Sequence, residues 1–136
     1  MAVLVAGANL SLAADYARQK VAYHINTSDE KQLIAAMGNI QNHINAVGKD
    51  NIDLKVVMHG PGVDLLKIAH TNLDMQSKIT NLKSQGIAFQ VCNNTLKSRK
   101  INYKNELFDV SAKDIVPNGV AELAKLQQQG YVYIKP

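Results

Sequence analysis

The sequence predicts a single α/β domain built on a parallel sheet with helices on both faces. Three observations carry this. From Lys20 onward, short β-rich runs alternate with longer stretches of helical periodicity, the pattern of successive βαβ units. The second β-rich run places Leu54, Val56 and Val57 where a strand buried in a parallel sheet needs apolar side chains. The length of 136 residues with 46% apolar content suits one core rather than two.

The elements follow in order. Val21 to Asn26 is the first strand, and Thr27 with Glu30 forms a capping box for the next helix. Leu33, Met37, Ile40, Ile44 and Val47 share one face of that helix, and Gly48 ends it. Ile52 to His59 is the second strand, broken by Gly60-Pro61-Gly62. Val63 to Ala69 suits a short helix, and Met75, Ile79 and Leu82 mark a clearer one closed by Gly86. Ile87 to Val91 is the third strand, and Thr95 to Arg99 forms a helical turn after it. Tyr103 to Ser111 is aperiodic and reads as surface loop. Ile115-Val116 is extended because Pro117 disfavours helix before it; Pro117 then opens a helix bearing Val120, Leu123, Ala124 and Gln127. Gly130 stops that helix, and Tyr131 to Ile134 is the last strand.

The net charge of +4 comes from scattered lysines, with only Lys97, Arg99, Lys100 and Lys104 clustered. No tryptophan and no recognition signature accompany them, so the basic residues read as a solvated face rather than a nucleic-acid surface. A single cysteine closes no internal disulfide, which leaves the compartment open. No apolar run reaches the roughly 18 residues of a membrane span. Residues 1–19 form a separate N-terminal segment ahead of a domain at residues 20–136. Ala2 to Ala14 is uncharged and ends in Ser11-Leu12-Ala13, like the back half of a secretory leader without its basic start. It is either a truncated leader, which implies a periplasmic protein, or a segment packed on a cytoplasmic domain.

In a parallel sheet the C-terminal ends of the strands meet at one edge, where ligands bind. That edge gathers Asn26 and Thr27, His59 and Gly60, Cys92 and Asn93, and Pro117 to Gly119. Gly60-Pro61-Gly62-Val63-Asp64-Leu65 departs from a dinucleotide fingerprint, because Leu65 replaces the third glycine and Pro61 lacks an amide proton. These glycines instead suit a tight turn and a close backbone approach. His24, His43, His59 and His70 show no metal-ligand spacing, and neither a metal nor a cofactor is expected. His24 reads as a core histidine within its strand, His43 and His70 as solvated. His59 alone lies at the edge, a candidate base for the thiol. Cys92 is either an inert core filler or a nucleophile whose thiolate is stabilised by helix amides.

Val91-Cys92 at a strand end before a polar turn and Leu96-Lys97-Ser98-Arg99, the His59-Gly60-Pro61-Gly62 turn, and the closing Pro117-Asn118-Gly119-Val120-Ala121-Glu122-Leu123 together resemble the DsrE/DsrF-like family of sulfur-relay proteins. The likeness runs from about Lys20 to Pro136. It implies a three-layer α/β/α sandwich with about five strands, and assembly into homotrimers or hexamers. It also implies that Cys92 carries sulfur as a persulfide, between donor and acceptor proteins or small sulfur compounds, as a carrier rather than a turnover enzyme. Amides from Asn93, Asn94 and Thr95 would stabilise the anion, with His59, Gly60 or Asn26 assisting. Asn93-Asn94 departs from the small apolar residues that follow the cysteine in relay members. The alternative is a non-catalytic oligomeric module that binds a small ligand at the same edge, with Cys92 merely packed.

Overall fold

The computed structural model describes residues 15–136; the leader-like stretch lies outside them. Five strands form one parallel sheet in the order β4-β3-β2-β1-β5: β1 is Gln19–Ile25, β2 Ile52–Met58, β3 Ala88–Cys92, β4 Ile115–Val116 and β5 Val132–Ile134. The helices between them are α1 (Glu30–Val47), α2 (Asp64–Ala69), α3 (Leu73–Ser84), α4 (Asn93–Ser98), α5 (Tyr103–Glu106) and α6 (Gly119–Gln128).

Strand alternation divides the sheet into two unequal faces. Val21, Tyr23 and Ile25 of β1, Leu54, Val56 and Met58 of β2, and Phe89 and Val91 of β3 pack against the helices that follow the first three strands. The α1 contribution is the stripe read from the sequence, Leu33, Met37, Ile40, Ile44 and Val47, with Ala36 added. Each such large side chain, taken fully out of water, contributes roughly 1.5–3 kcal/mol before conformational entropy is charged against it. Among the described residues the opposite face is covered by α6, through Leu123 and Leu126 on Ala22, Val57 and Tyr131.

Several boundaries differ from expectation for local reasons. The first helix is capped by Asp29, which accepts from the Gln32 amide at 3.0 Å, so Thr27 is not its cap; the Thr27 hydroxyl accepts from the Asp29 amide at 3.1 Å instead. The last helix begins at Gly119, with Asn118 accepting from the Ala121 amide at 2.8 Å, two residues beyond Pro117. Its buried face is accordingly Gly119, Glu122, Leu123 and Leu126, and Val120 is turned outward at 59% exposure. Tyr103 to Ser111 is not a surface loop throughout. It contains α5, buries Leu107, and donates from the Phe108 amide to the Leu66 carbonyl at 3.0 Å. Those contacts come singly from a short turn, so they leave no periodicity.

Candidate functional site

The connections after β1, β2 and β3 leave to one face of the sheet, whereas the connection after β4 leaves to the other and forms α6. Because β3 and β4 are neighbours, with Cys92 paired to Val116, their outgoing chains diverge from adjacent positions. Such a switch point opens a crevice beyond the strand ends. Cys92, the last residue of β3, stands there.

Its backbone is extended and takes the N-cap position of α4. The amides of Asn94 and Thr95, in the first turn of α4, face the sulfur, and the Gly119 amide comes from the start of α6 on the other side. The neutral thiol makes no formal cap bond, in keeping with its weakness as an acceptor. The anion is favoured nonetheless. Burial pushes the thiol up, but the Thr95 hydroxyl and the amides of Gly119, Thr95 and Asn94 together outweigh it, and the pKa falls below the ordinary 9.0. Of the three amides expected from the sequence, Asn94 and Thr95 act on the sulfur; Asn93 is not among the groups that do. Cys92 is only 3% exposed.

Thr95 does more than lend an amide. Its side-chain oxygen accepts from the Gly60 amide at 2.8 Å, which leaves its own proton for the sulfur. Gly60 holds a φ of +54°, the turn conformation that a side chain resists. Arg99 fixes the same turn by donating to the Gly60 carbonyl at 3.0 Å and pairing with Asp64 at 2.8 Å. A Cβ on Gly62 would lie 1.9 Å from the Ile25 carbonyl oxygen, so the expected close backbone approach is present.

His59 lies beside this centre without a hydrogen bond to the sulfur. A Cβ on Gly119 would meet the His59 Cβ at 2.8 Å and the Cys92 Cβ at 3.3 Å, so both side chains start against one glycine. The His59 ring turns away and places its Nε2 2.6 Å from His24 Nε2, the two rings stacked with centroids 4.7 Å apart. His24 Nδ1 in turn meets the Tyr133 hydroxyl at 2.5 Å. His24 is therefore part of the edge rather than a core histidine. Burial, then the neighbouring His59 and Lys135, lower the His24 pKa to about 4; burial and Lys135 lower His59 as well. Both imidazoles are held neutral. His43 is not freely solvated either, since its ring bonds Tyr23 and Gln19 at 2.9 and 2.7 Å.

Asn26 lines a cavity at the end of β1 with His24, Thr27 and Lys135. The sequence places Gly119 at the shared edge without giving it a role; the structure adds one, its amide on the sulfur. No group of three metal-ligating side chains occurs among the described residues, and no described helix is long and apolar enough to cross a membrane.

A profile of the DsrE/DsrF-like family matches residues 13–136. The chain belongs to that family. The fold agrees: a structure described as a protein of unknown function, MTH1491 from Methanobacterium thermoautotrophicum, superposes with a TM-score of 0.75 at 25% identity, over 87% of this chain and 99% of that one. No functionally curated protein matches the sequence. Membership supports a sulfur-relay type of protein, and the parallel five-stranded sheet with helices on both faces is the three-layer α/β/α arrangement that the resemblance implied.

Proposed function

We propose that this DsrE-family protein is a sulfur carrier that holds sulfane sulfur on Cys92. The observation that carries the reading is the convergence of three backbone amides and the Thr95 hydroxyl on one sulfur at the sheet's switch point, which lowers its pKa. The Cys92 thiolate attacks the terminal sulfur of a donor persulfide; a new S–S bond forms, the donor's S–S bond breaks, and the donor leaves as a thiolate. An acceptor thiolate then takes the outer sulfur by the same exchange and regenerates Cys92. Neither step has net oxidation or reduction. Donor and acceptor are proteins or small sulfur compounds, and the chain acts as a carrier rather than a turnover enzyme.

Assembly into a homotrimer or hexamer, which family membership suggests, would cover Val120, Val132 and Tyr133, apolar side chains of α6 and β5 that a lone subunit leaves 59%, 58% and 42% exposed. Incubation with polysulfide followed by mass spectrometry tests the carrier directly. One added sulfur, located at Cys92, removed by dithiothreitol and absent from Cys92→Ser, is the expected result; addition that persists in Cys92→Ser overturns it.

The 3% exposure of Cys92 favours a second reading, an oligomeric small-ligand module whose thiol is packed. In that case the folded protein takes up no sulfur and its thiol resists alkylation.

A further inference from the structure

We propose that the cavity between the C-terminal ends of β1 and β5, bounded by Asn26, Thr27, Gln32 and Lys135, is a binding site for a compact oxyanion. This goes beyond the carrier reading and does not depend on it. The cavity measures about 290 Å³, close to the lower limit of small-molecule sites. Its polar lining comes from Asn26, Thr27, Gln32 and Lys135, each of which can donate through nitrogen or oxygen, and Pro136 lines it beside Lys135. Among the described residues Lys135 supplies the only side-chain charge in the lining, and it makes no ion pair with any of them. The oxygen of Thr27 already accepts from the Asp29 amide, and its hydroxyl can also donate a proton to a ligand. Asn26 and Gln32 add carboxamide N–H groups. Such hard donors match carboxylate, sulfate or phosphate oxygens, and a charge-assisted bond to the ammonium would be the strongest of the set. Ile25 and Ala36, both buried, form a dry wall on one side.

His24 has a different role. Both of its ring nitrogens are engaged, by Tyr133 and His59, so it lines the cavity as a wall rather than as a donor. It is therefore a reporter. Lys135 lowers both imidazoles, and an anion seated beside Lys135 would offset that charge and let them protonate more readily.

Nitrogen-15 NMR of the histidine rings in the full chain, titrated with sodium sulfate and separately with sodium acetate against sodium chloride at equal ionic strength, tests the site. The expected result is a saturable shift of the His24 signals with sulfate or acetate, with a dissociation constant on the order of 1 mM or tighter, and an upward movement of the His24 titration. Lys135→Ala should weaken binding about tenfold or more, and Thr27→Val by a smaller factor. Lys135 is exposed near the end of the described chain, so its removal leaves the core intact. A chloride response equal to that of both oxyanions, or unchanged binding in Lys135→Ala, overturns the proposal. Repeating the titration in Cys92→Ser separates the two readings, since the oxyanion should bind there as in the parent whether or not Cys92 carries sulfur.

Discussion

The backbone amide of Gly60 donates a 2.8 Å hydrogen bond to the hydroxyl oxygen of Thr95, tying the turn after β2 to the helix after β3. With its acceptor site filled, the hydroxyl directs its proton at Cys92, so a turn on one strand helps set the acidity of a thiol on the next. Thr95→Val keeps the shape and removes the hydroxyl. The thiol pKa should then rise, because burial still opposes the anion and the side-chain bond that opposed burial is gone. The Gly60 amide also loses its acceptor, at a cost of about 1–3 kcal/mol. Ultraviolet titration of the thiolate and urea unfolding measure the two effects. Thr95→Ser should restore most of both, and an unchanged titration in Thr95→Val would remove the hydroxyl from the account.

Three glycines separate close packing from mere backbone freedom. A Cβ on Gly62 would fall 1.9 Å from the Ile25 carbonyl oxygen and 2.9 Å from the Asn26 Cα, backbone atoms at the end of β1 and just beyond it. Gly62→Ala should destabilise by more than about 3 kcal/mol. Gly119→Ala meets the first side-chain carbons of His59 and Cys92 at 2.8 and 3.3 Å. It should cost about 1–3 kcal/mol and raise the Cys92 pKa as the Gly119 amide is pushed away. Gly38 is the control: it lies within α1 with nothing within 4 Å of an added Cβ, so Gly38→Ala should stabilise by about 0.5–1 kcal/mol through helix propensity. Denaturant midpoints of the three variants decide whether crowding, rather than glycine as such, orders them.

The parallel sheet was legible because β1, β2 and β3 carry their own pattern, and α1 shows its buried stripe at unmistakable spacing. Cys92 and Thr95 were legible for a topological reason: they follow a strand end, and parallel strand ends share an edge. What remained hidden depends on pairs brought together only by register. His24 looked like a strand interior residue until its ring met His59, 35 residues away. Gly119 carries no side chain to mark it, yet its amide closes the third side of the sulfur's surroundings. The Asp29 and Asn118 caps compete with nearby Thr27 and Pro117, each a plausible helix start by composition, and only backbone direction decides between them.

The stacked imidazoles make stability depend on pH in a defined window. His24 titrates near 6.5 when unfolded and about 4 when folded, mainly because burial disfavours its cation, then because His59 and Lys135 repel it. Between these values the unfolded chain holds more protons than the native one. The contribution is therefore present above pH 6.5 and is lost as pH falls through about 4, with His59 shifting in the same direction. Tyr133 and Lys135 are the other titratable groups facing the pair. Solvent screening limits the loss to on the order of 1 kcal/mol. His24→Gln should flatten the profile between pH 6.5 and 4 in urea unfolding; a slope unchanged by that substitution would place the pH dependence elsewhere.

Tyr131 anchors β5, which has only three residues and, among the described strands, pairs with β1 alone. Its hydroxyl donates to the Asp53 carboxylate at 2.6 Å, and the ammonium groups of Lys20 and Lys55 lie 4.7 and 5.7 Å from its ring centroid. Burial, reinforced by the Asp53 bond and charge, pushes the phenol up to about 12 from 10.0. A raised pKa in the native state gives stability that is complete below 10.0 and is lost as pH rises through about 12, since the unfolded chain ionises first. Tyr131→Phe keeps the ring, its burial and the two cation contacts, so it should cost only about 1–2 kcal/mol at neutral pH, the worth of a bond to a carboxylate still solvated on one side. It should also abolish this tyrosine's share of alkaline unfolding between pH 10 and 12. Tyr131→Ala removes the ring as well and should cost about 3–5 kcal/mol, with the β5 amides losing hydrogen-exchange protection before those of β2. If Phe and Ala at this position prove equally costly, the hydroxyl bond rather than ring burial holds the edge strand in place.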